Sequence, residues 1–314
     1  MSLLSEIAIT PDVLREDGYG STASCPLSLA FLRPILYDEV LVRDLHSGAW
    51  SKMILTGAGN WHQSGKELVK KLRARCRLIP AESEGEEEPA NDLAWGQEAI
   101  QSHHHAGLAA IIAGKSLQAQ LQDQKTICSV EKVHTSEWWQ SRSCSVRLRR
   151  QTKDYIEALK LVLQHANSMM FVDPHLDPSR RNYAEFGQVL SVAQRSHVKP
   201  KVELHRVCYD GSGPNRRLLT LRDLQERFTP LGEKLGAVEL GAEVFVWDDF
   251  HDRYLISNLI GVSLLNGFDT SGNTDERTTW SRLSTKDRDD IQREFDEASN
   301  THALNYKFRI GAGT

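Results

Sequence analysis

The sequence lacks the features that mark several classes of protein. Its five cysteines are scattered, odd in number and free of any Cys-x-x-Cys pair, so neither a zinc cluster nor a disulfide framework is indicated. Its apolar runs are far too short to span a bilayer, and its first residues contain neither a basic segment nor a long apolar one. These absences predict reduced thiols, no membrane span, no signal peptide and a cytoplasmic protein.

Excess positive charge and a phosphate loop are also missing. The net charge is −4, which argues against a generally basic nucleic-acid surface but leaves room for a local basic groove. The turn Gly57–Asn60 is not a phosphate loop, because Lys66 is out of register for one. His103, His104 and His105 lie about 100° apart on a predicted helix, so they cannot all bind one metal. We expect neither a metal nor a cofactor.

The chain has 314 residues, 40% of them hydrophobic, which is enough for one large domain or two ordinary ones. We predict a boundary between residues 148 and 149. Residues 1–148 are expected to form a mainly helical region of unknown role, with a long helix from Asn91 to Gln124. Leu27 to Leu45 fits either two short helices or a helix and a strand, and the acidic segment Glu82–Pro89 predicts an exposed loop.

Residues 149–314 alternate between the two periodicities of regular structure. Helices are predicted to begin near Thr152, Tyr183, Leu218 and Thr285. The helix from Leu218 to Leu235 is expected to be interrupted by Pro230. Strands are predicted at Ser168–Val172, Pro200–Val207, Val244–Trp247, from Tyr254, at Leu259–Leu265 and at Tyr306–Ile310. This alternation predicts an α/β domain with a mixed sheet.

The most informative stretch joins the strand Val244–Trp247 to the strand that starts at Tyr254. His251 and Arg253 lie two residues apart at the start of that second strand, so their side chains should leave the same face. An imidazole beside a fixed cation suits a phosphate group, because the cation neutralises oxygens and the imidazole can attack phosphorus or carry a proton.

A family resemblance rests on these residues. His251-x-Arg253-x(4)-Asn258, followed by Gly261-x-Ser263, resembles the phospholipase D superfamily motif H-x-K-x(4)-D with its following G-[ST] segment. Arg253 stands where the family has lysine, and Asn258 where it has aspartate. The resemblance covers roughly residues 150–314 and implies a phospholipase D-like mixed-sheet sandwich.

Two further segments carry the same resemblance. Asp173-Pro174-His175-Leu176 follows a predicted strand and is similar to the D-P-Y-L-like turn of such domains. The His251-Asp252-Arg253 triplet, followed by Gly267-Phe268-Asp269, is similar to a divergent branch of the superfamily. That branch includes the C-terminal domain of microtubule-interacting-and-trafficking proteins and bacterial proteins of mobile or defence loci.

The resemblance implies a metal-independent phosphodiesterase or nuclease of a bacterial defence or mobile-element system. In catalytic relatives two motifs meet across a two-fold axis. This chain has one motif, so an active site would require a homodimer in which both His251 side chains converge. The residues implied in catalysis are His251, Arg253, Asn258 and Ser263, with Arg253 holding the phosphate.

Other hypotheses stay open. The degenerate motif also fits a non-catalytic recognition subunit that binds nucleic acid, or that docks a protein partner through residues 1–148. Binding of a lipid head group is a third hypothesis, and simple packing of the triplet within the fold is a fourth. His175 lies at a strand end where it could border a site, whereas His197 has the H-x-K spacing by coincidence, because Pro200 follows.

Overall fold

The computed structural model describes residues 2–19, 24–57, 59–83, 85–121, 125–196, 198–211, 213 and 216–313. The chain divides into two compact units. One is Leu4–Ser143, and the other is Cys144–Thr314 together with the first three residues. The predicted boundary at 148/149 falls inside the first strand of the second unit. Both units combine helices with sheets, so the predicted α/β class is confirmed.

The N-terminal unit is built on a parallel sheet in the order β3-β2-β1-β4-β5. Its strands are β1 (Ser5–Ile9), β2 (Val40–Asp44), β3 (Leu78–Pro80), β4 (Ala110–Ala113) and β5 (Ile127–Ser129). Its α-helices are α1 (Ser24–Asp38), α2 (Ala49–Thr56), α3 (Gln63–Ala74), α4 (Asp92–His105), α5 (Lys115–Gln120) and α6 (Glu137–Ser141). The residues through which β1 and β4 pair are all buried, as is usual for the central strands of a parallel sheet.

Helices contain more residues than strands in this unit, as expected, but the parallel sheet at its centre was not predicted. The predicted helix from Asn91 to Gln124 is wrong in its centre: it ends at His105, and Ala110–Ala113 is a strand. A short, continuous apolar run does not distinguish a buried strand from a buried helix by periodicity, which is why the sequence misled here. The predicted end, Gln124, lies outside the described residues. Leu27 to Leu45 proves to be a helix followed by a strand.

The C-terminal unit is built on a mixed sheet in the order β15-β11-β8-β7-β12-β13-β14-β6. Its strands are β6 (Ser145–Arg149), β7 (Ser168–Val172), β8 (Lys201–Val207), β11 (Gly241–Trp247), β12 (Tyr254–Ser257), β13 (Gly261–Leu264), β14 (Arg277–Arg282) and β15 (Leu304–Gly311), and β9 (Tyr209–Asp210) pairs with β10 (Arg217–Leu218) in a small separate ribbon. Its α-helices are α7 (Thr152–His165), α8 (Phe186–Ser191), α9 (Leu221–Ala237) and α10 (Thr285–Glu294). Strands β7, β8 and β11 are parallel, and the other neighbours in the large sheet are antiparallel.

Most predicted elements of this unit are present, with three differences. The helix predicted from Tyr183 is only the short α8, whereas α9 continues through Pro230 without a break. Strands β6 and β14 were not predicted, because arginine, serine and threonine make up most of their residues and they lack the apolar density of the central strands.

Each face of the large sheet carries its own aromatic cluster. Phe171 contacts Phe186 and Phe268 on one face, and Phe268 also contacts Trp280. Neighbouring positions along β7 point the other way, into a second cluster with Phe245, Trp247 and Phe295.

Candidate functional site

The loop between β11 and β12 carries the His251-Asp252-Arg253 triplet. Tyr254 begins β12 and pairs with Val172 of β7 on one side and with Ser263 of β13 on the other. The Leu264 amide donates to the Arg253 carbonyl at 2.9 Å, so the ladder already starts at Arg253. The backbone of Arg253 is therefore fixed by hydrogen bonding to the central strands of the sheet. It lies beside the C-terminal end of β7.

The Arg253 side chain lies over a buried carboxylate. Its Nε is 3.8 Å from Asp173 Oδ1, and its Nη1 donates to the His251 carbonyl at 3.4 Å. Asp173 is fully buried, whereas Arg253 keeps 27% of its side chain exposed. One end of the guanidinium thus contacts the protein, and the rest remains accessible to a ligand.

Asp173 joins three segments of the chain. Its carboxylate accepts hydrogen bonds from the Phe268 amide at 3.1 Å, the His175 amide at 3.0 Å and the Tyr183 hydroxyl at 3.0 Å. Burial raises the pKa of this carboxyl above its ordinary value, and these donors and Arg253 oppose that effect. The residue therefore fixes the turn after β7 and the loop after β13 in one arrangement.

Gly267 allows this arrangement by its lack of a side chain. Its φ is +73°, and a Cβ at this position would lie 2.2 Å from Asp173 Oδ2 and 3.1 Å from Arg253 Cδ. Both the left-handed backbone and the close approach favour glycine. The Gly267-Phe268-Asp269 segment thus has a packing role beside Asp173 and Arg253.

A cavity of about 430 Å³ opens beside Arg253. It is lined by His175, Arg180, Asn182, Tyr183, Arg253, Leu265, Asn266 and Asp269. Partial desolvation lowers the pKa of His175 below the ordinary histidine value, and Arg253, Arg206 and Arg180 lower it further, against the opposing effect of Asp173. At neutral pH the imidazole is therefore uncharged, and the positive charge of the cavity comes from its two arginines.

The two arginines of the cavity differ in how far they are neutralised. Arg180 forms ion pairs with Asp177 and Asp210, and both of these carboxylates also pair with Arg227. Arg253 has only the long contact to buried Asp173 among the described carboxylates. Arg253 is thus the more available cation for an anionic ligand.

Asp269 forms another part of the cavity wall. Its carboxylate pairs with Arg150, and its carbonyl accepts from the Tyr155 hydroxyl at 2.7 Å. The Asn182 amide lies 3.5 Å from Asp269 Oδ2. This wall is held by helix α7 and by the end of β6, so its acceptors are fixed in position.

The structure does not bring the four sequence-predicted catalytic residues together. Arg253 lines the cavity, whereas His251 is exposed in the loop and is not among the lining residues. Asn258 lies past the far end of β12, where its Oδ1 accepts from the Asn167 and Ser168 amides at 2.7 and 3.3 Å. Ser263 pairs with Tyr254, so its side chain leaves the opposite face of the sheet from that of Arg253.

Apart from Arg253, the sequence indicated only His175 as a residue that could border a site, and it does line the cavity. Asp173, which contacts Arg253, belongs to the same turn that resembles D-P-Y-L, and Asp269 belongs to the Gly-Phe-Asp segment, so both segments offered a signal. Asn182 and Asn266 offered none, because loop asparagines are common for conformational reasons alone.

Two other sequence features have structural positions outside the cavity. His103 lies in the last turn of α4, and its Nδ1 accepts from the Leu108 amide at 2.9 Å. His197 lies outside the described residues. Within the described ranges, no group of three or more His, Cys, Asp or Glu side chains could hold a metal ion, and no helix is long and apolar enough to cross a membrane.

Comparisons with known proteins give little further guidance. No family model matches the sequence, and no curated protein matches it. Among solved structures, the chain is similar to TrmBL2, described as an archaeal chromatin protein with a novel mode of DNA binding. The identity is 14% and the TM-score 0.29, over 76% of this chain and 82% of that one. A likeness of that degree carries no argument about function, which leaves the chemistry of the cavity as the guide.

Proposed function

We propose that the C-terminal unit is a phosphate-recognition module and that the protein acts as the recognition subunit of a larger system. We propose a bacterial defence or mobile-element system as that larger system. The observation that carries this proposal is the position of Arg253. Its guanidinium borders a cavity, it is incompletely neutralised, and its backbone is fixed by the sheet. Arginine is well suited to phosphate because its planar fork can donate two parallel hydrogen bonds.

The surroundings of Arg253 support binding more directly than catalysis. The nearest carboxylate, Asp173, is buried beneath the guanidinium and occupied by three donors, so its role is to position. Arg180 adds a second cation, and the lowered pKa of His175 leaves a neutral imidazole that can donate or accept one hydrogen bond. The N-terminal unit is proposed to dock a protein partner or nucleic acid.

A binding titration tests this function. Inorganic phosphate and a labelled single-stranded DNA should bind the wild-type protein, and Arg253→Ala should weaken both by about 10- to 100-fold, as expected for losing charge-assisted hydrogen bonds. Arg253→Lys keeps the charge but loses the fork, so it should show an intermediate loss. Arg222→Ala is the matched control, since Arg222 is 88% exposed and pairs along its own helix with Glu226. Unchanged binding in Arg253→Ala would overturn the proposal.

A second candidate is a metal-independent phosphodiesterase or nuclease. His251 favours it, because this imidazole is exposed two residues from Arg253 and is accessible to a second copy of the chain. In a homodimer two such imidazoles would supply the nucleophile and the acid that a single chain does not bring together. Cleavage of labelled DNA or RNA in the presence of a chelator, lost in His251→Ala, would favour this candidate.

A further inference from the structure

The lining of the cavity beside Arg253 combines two kinds of chemistry. Arg253 and Arg180 supply positive charge, whereas Asn182, Asn266 and Asp269 supply amide and carboxylate groups. A bare phosphate would need only the arginines. The amide and carboxylate groups therefore indicate a ligand that carries hydrogen-bonding groups in addition to its phosphate.

Asn266 is the most available of these polar groups. It is half-buried in the cavity wall, and its side-chain amide has no hydrogen-bond partner within the described ranges. A half-buried amide that the protein leaves unpaired offers two donors and an acceptor to a ligand. This spare capacity suits the polar edge of a nucleobase, which presents donors and acceptors side by side.

An apolar surface stands beside the amides. Leu265 lines the cavity and is 68% exposed, the second most exposed of the large hydrophobic residues described. Its position next to Asn266 places an aliphatic contact beside a hydrogen-bonding group. A planar base can pack its face on such a side chain while its edge meets an amide.

The volume limits the size of the ligand. About 430 Å³ lies in the lower part of the range for pockets that enclose small molecules. A cavity of this size accepts a single nucleotide unit, whereas a duplex requires an open groove. A ligand with one phosphate at Arg253 and one base at Asn266 would use both the cationic and the amide groups of the lining.

We infer that the cavity binds one nucleoside monophosphate unit, either as a free nucleotide or as the phosphorylated end of a nucleic-acid chain. The inference rests on the proposed phosphate site and adds its ligand class. Arg253, with Arg180, binds the phosphate. Asn266 and Asn182 bind the edge of the base, and Leu265 packs against its face.

Calorimetry on the full-length protein tests this inference with small probes: inorganic phosphate, ribose 5-phosphate, adenosine and each of the four common nucleoside 5′-monophosphates. We expect at least one monophosphate to bind about 10-fold or more tightly than inorganic phosphate and ribose 5-phosphate, and adenosine to bind most weakly. Asn266→Ala and Leu265→Ser should remove that advantage and leave the affinity for inorganic phosphate unchanged. Both positions are partly or largely exposed, and melting curves of the variants verify that they fold.

Further probes distinguish the two sources of the ligand. The ligand is a chain end if a trinucleotide with a 5′-phosphate binds as tightly as the mononucleotide and a trinucleotide with a 5′-hydroxyl binds more weakly. A trinucleotide that does not bind identifies the free nucleotide.

Equal affinity for nucleotide, ribose 5-phosphate and inorganic phosphate would overturn the nucleotide inference but leave the phosphate site. Preference for vesicles that contain phosphatidic acid would also overturn it. Failure of every phosphate-bearing probe to bind would overturn the phosphate site itself.

Discussion

Gly267 and Asp173 are in contact because position 267 has no side chain: a Cβ there would lie 2.2 Å from Asp173 Oδ2. This contact links the loop after β13 to the turn after β7, the two segments that line most of the cavity. The Phe268 amide, one residue along, donates to the same carboxylate oxygen at 3.1 Å. The geometry of the cavity therefore depends on one glycine and one buried acid.

Gly267→Ala should both destabilise the protein and weaken phosphate binding. The substituted residue would have to keep a φ of +73° and displace Asp173, which together cost roughly 1–3 kcal/mol. Thermal melting and phosphate titration measure the two effects. Gly272→Ala is the control, because its added Cβ would meet nothing within 4 Å. Equal melting temperatures for the two variants would contradict the role given to Gly267.

Asp173→Asn should destabilise the C-terminal unit although it is nearly isosteric. The carboxylate accepts from three donors, two of them on Oδ2 and one on Oδ1. In asparagine an NH2 group replaces one of these oxygens, so at least one buried donor would face another donor in place of an acceptor. Leaving a buried donor unpaired costs roughly 1–3 kcal/mol, so we expect a clear drop in melting temperature. Tyr183→Phe removes only one of the three bonds and should cost less. A larger loss of stability in Tyr183→Phe than in Asp173→Asn would show that the Asp173 carboxylate does not hold these segments together.

His205 predicts how stability depends on pH. Its ring is buried beside Phe245 and Trp247, and its Nδ1 accepts from the Trp247 indole at 2.9 Å. Burial lowers the pKa of His205 below 6.5, against the opposing effect of Glu203. The unfolded chain then binds a proton more readily than the folded one as pH falls below 6.5, so stability is full above that pH and declines below it.

Urea denaturation at about pH 7.5 and about pH 5.5, on either side of the ordinary histidine pKa, measures this effect. The wild-type free energy of unfolding should be lower at the acidic pH. In His205→Phe the histidine contribution to that difference should disappear, whereas exposed His104→Gln should retain the wild-type difference. A His205→Phe variant with the full wild-type pH dependence would refute the assignment.

The sequence predicted the strands of the C-terminal unit better than it predicted the site. Central strands such as β7 and β11 are apolar runs of strand length with turn residues after them, and such runs predict burial from composition alone. The cavity depends on which turns meet at one sheet edge, and that depends on strand order. Nothing in the local sequence at Asn182 or Asn266 indicates that these residues approach Arg253.

The motif spacing misled for a related reason. Asn258 and Ser263 have the positions that the resemblance requires, but β12 is only four residues long, so Asn258 lies at the far end of the strand. There it accepts from the backbone amides of Asn167 and of Ser168, the first residue of β7. The period of two along a strand likewise directs Ser263 to the other face. Spacing along the chain thus matched the motif while the three-dimensional positions diverged.

Asn258→Asp restores the aspartate of the resembled motif and should nevertheless create no cleavage activity. An aspartate can still accept from the Asn167 and Ser168 amides, so the melting temperature should change little. Asn258→Ala loses both bonds and should cost about 1–2 kcal/mol of stability. Melting curves and a nuclease assay measure both outcomes. New cleavage in Asn258→Asp would mean that this residue belongs to an active site after all.

The two histidines near Arg253 distinguish recognition from catalysis. His175 lines the cavity and His251 does not, so His175→Ala should weaken phosphate or nucleotide binding by a few-fold, whereas His251→Ala should leave binding unchanged.

If the protein is instead a homodimeric phosphodiesterase, His251→Ala should abolish turnover without loss of binding, because a nucleophile acts in the chemical step. That activity should persist in a chelator, since an imidazole and an arginine supply attack and charge neutralisation without a metal. Titration and cleavage assays on both variants, with melting curves as the folding control, give a different pattern for each function. Cleavage that needs added magnesium would contradict the metal-independent mechanism, and loss of binding in His251→Ala with wild-type binding in His175→Ala would contradict the cavity as the site of recognition.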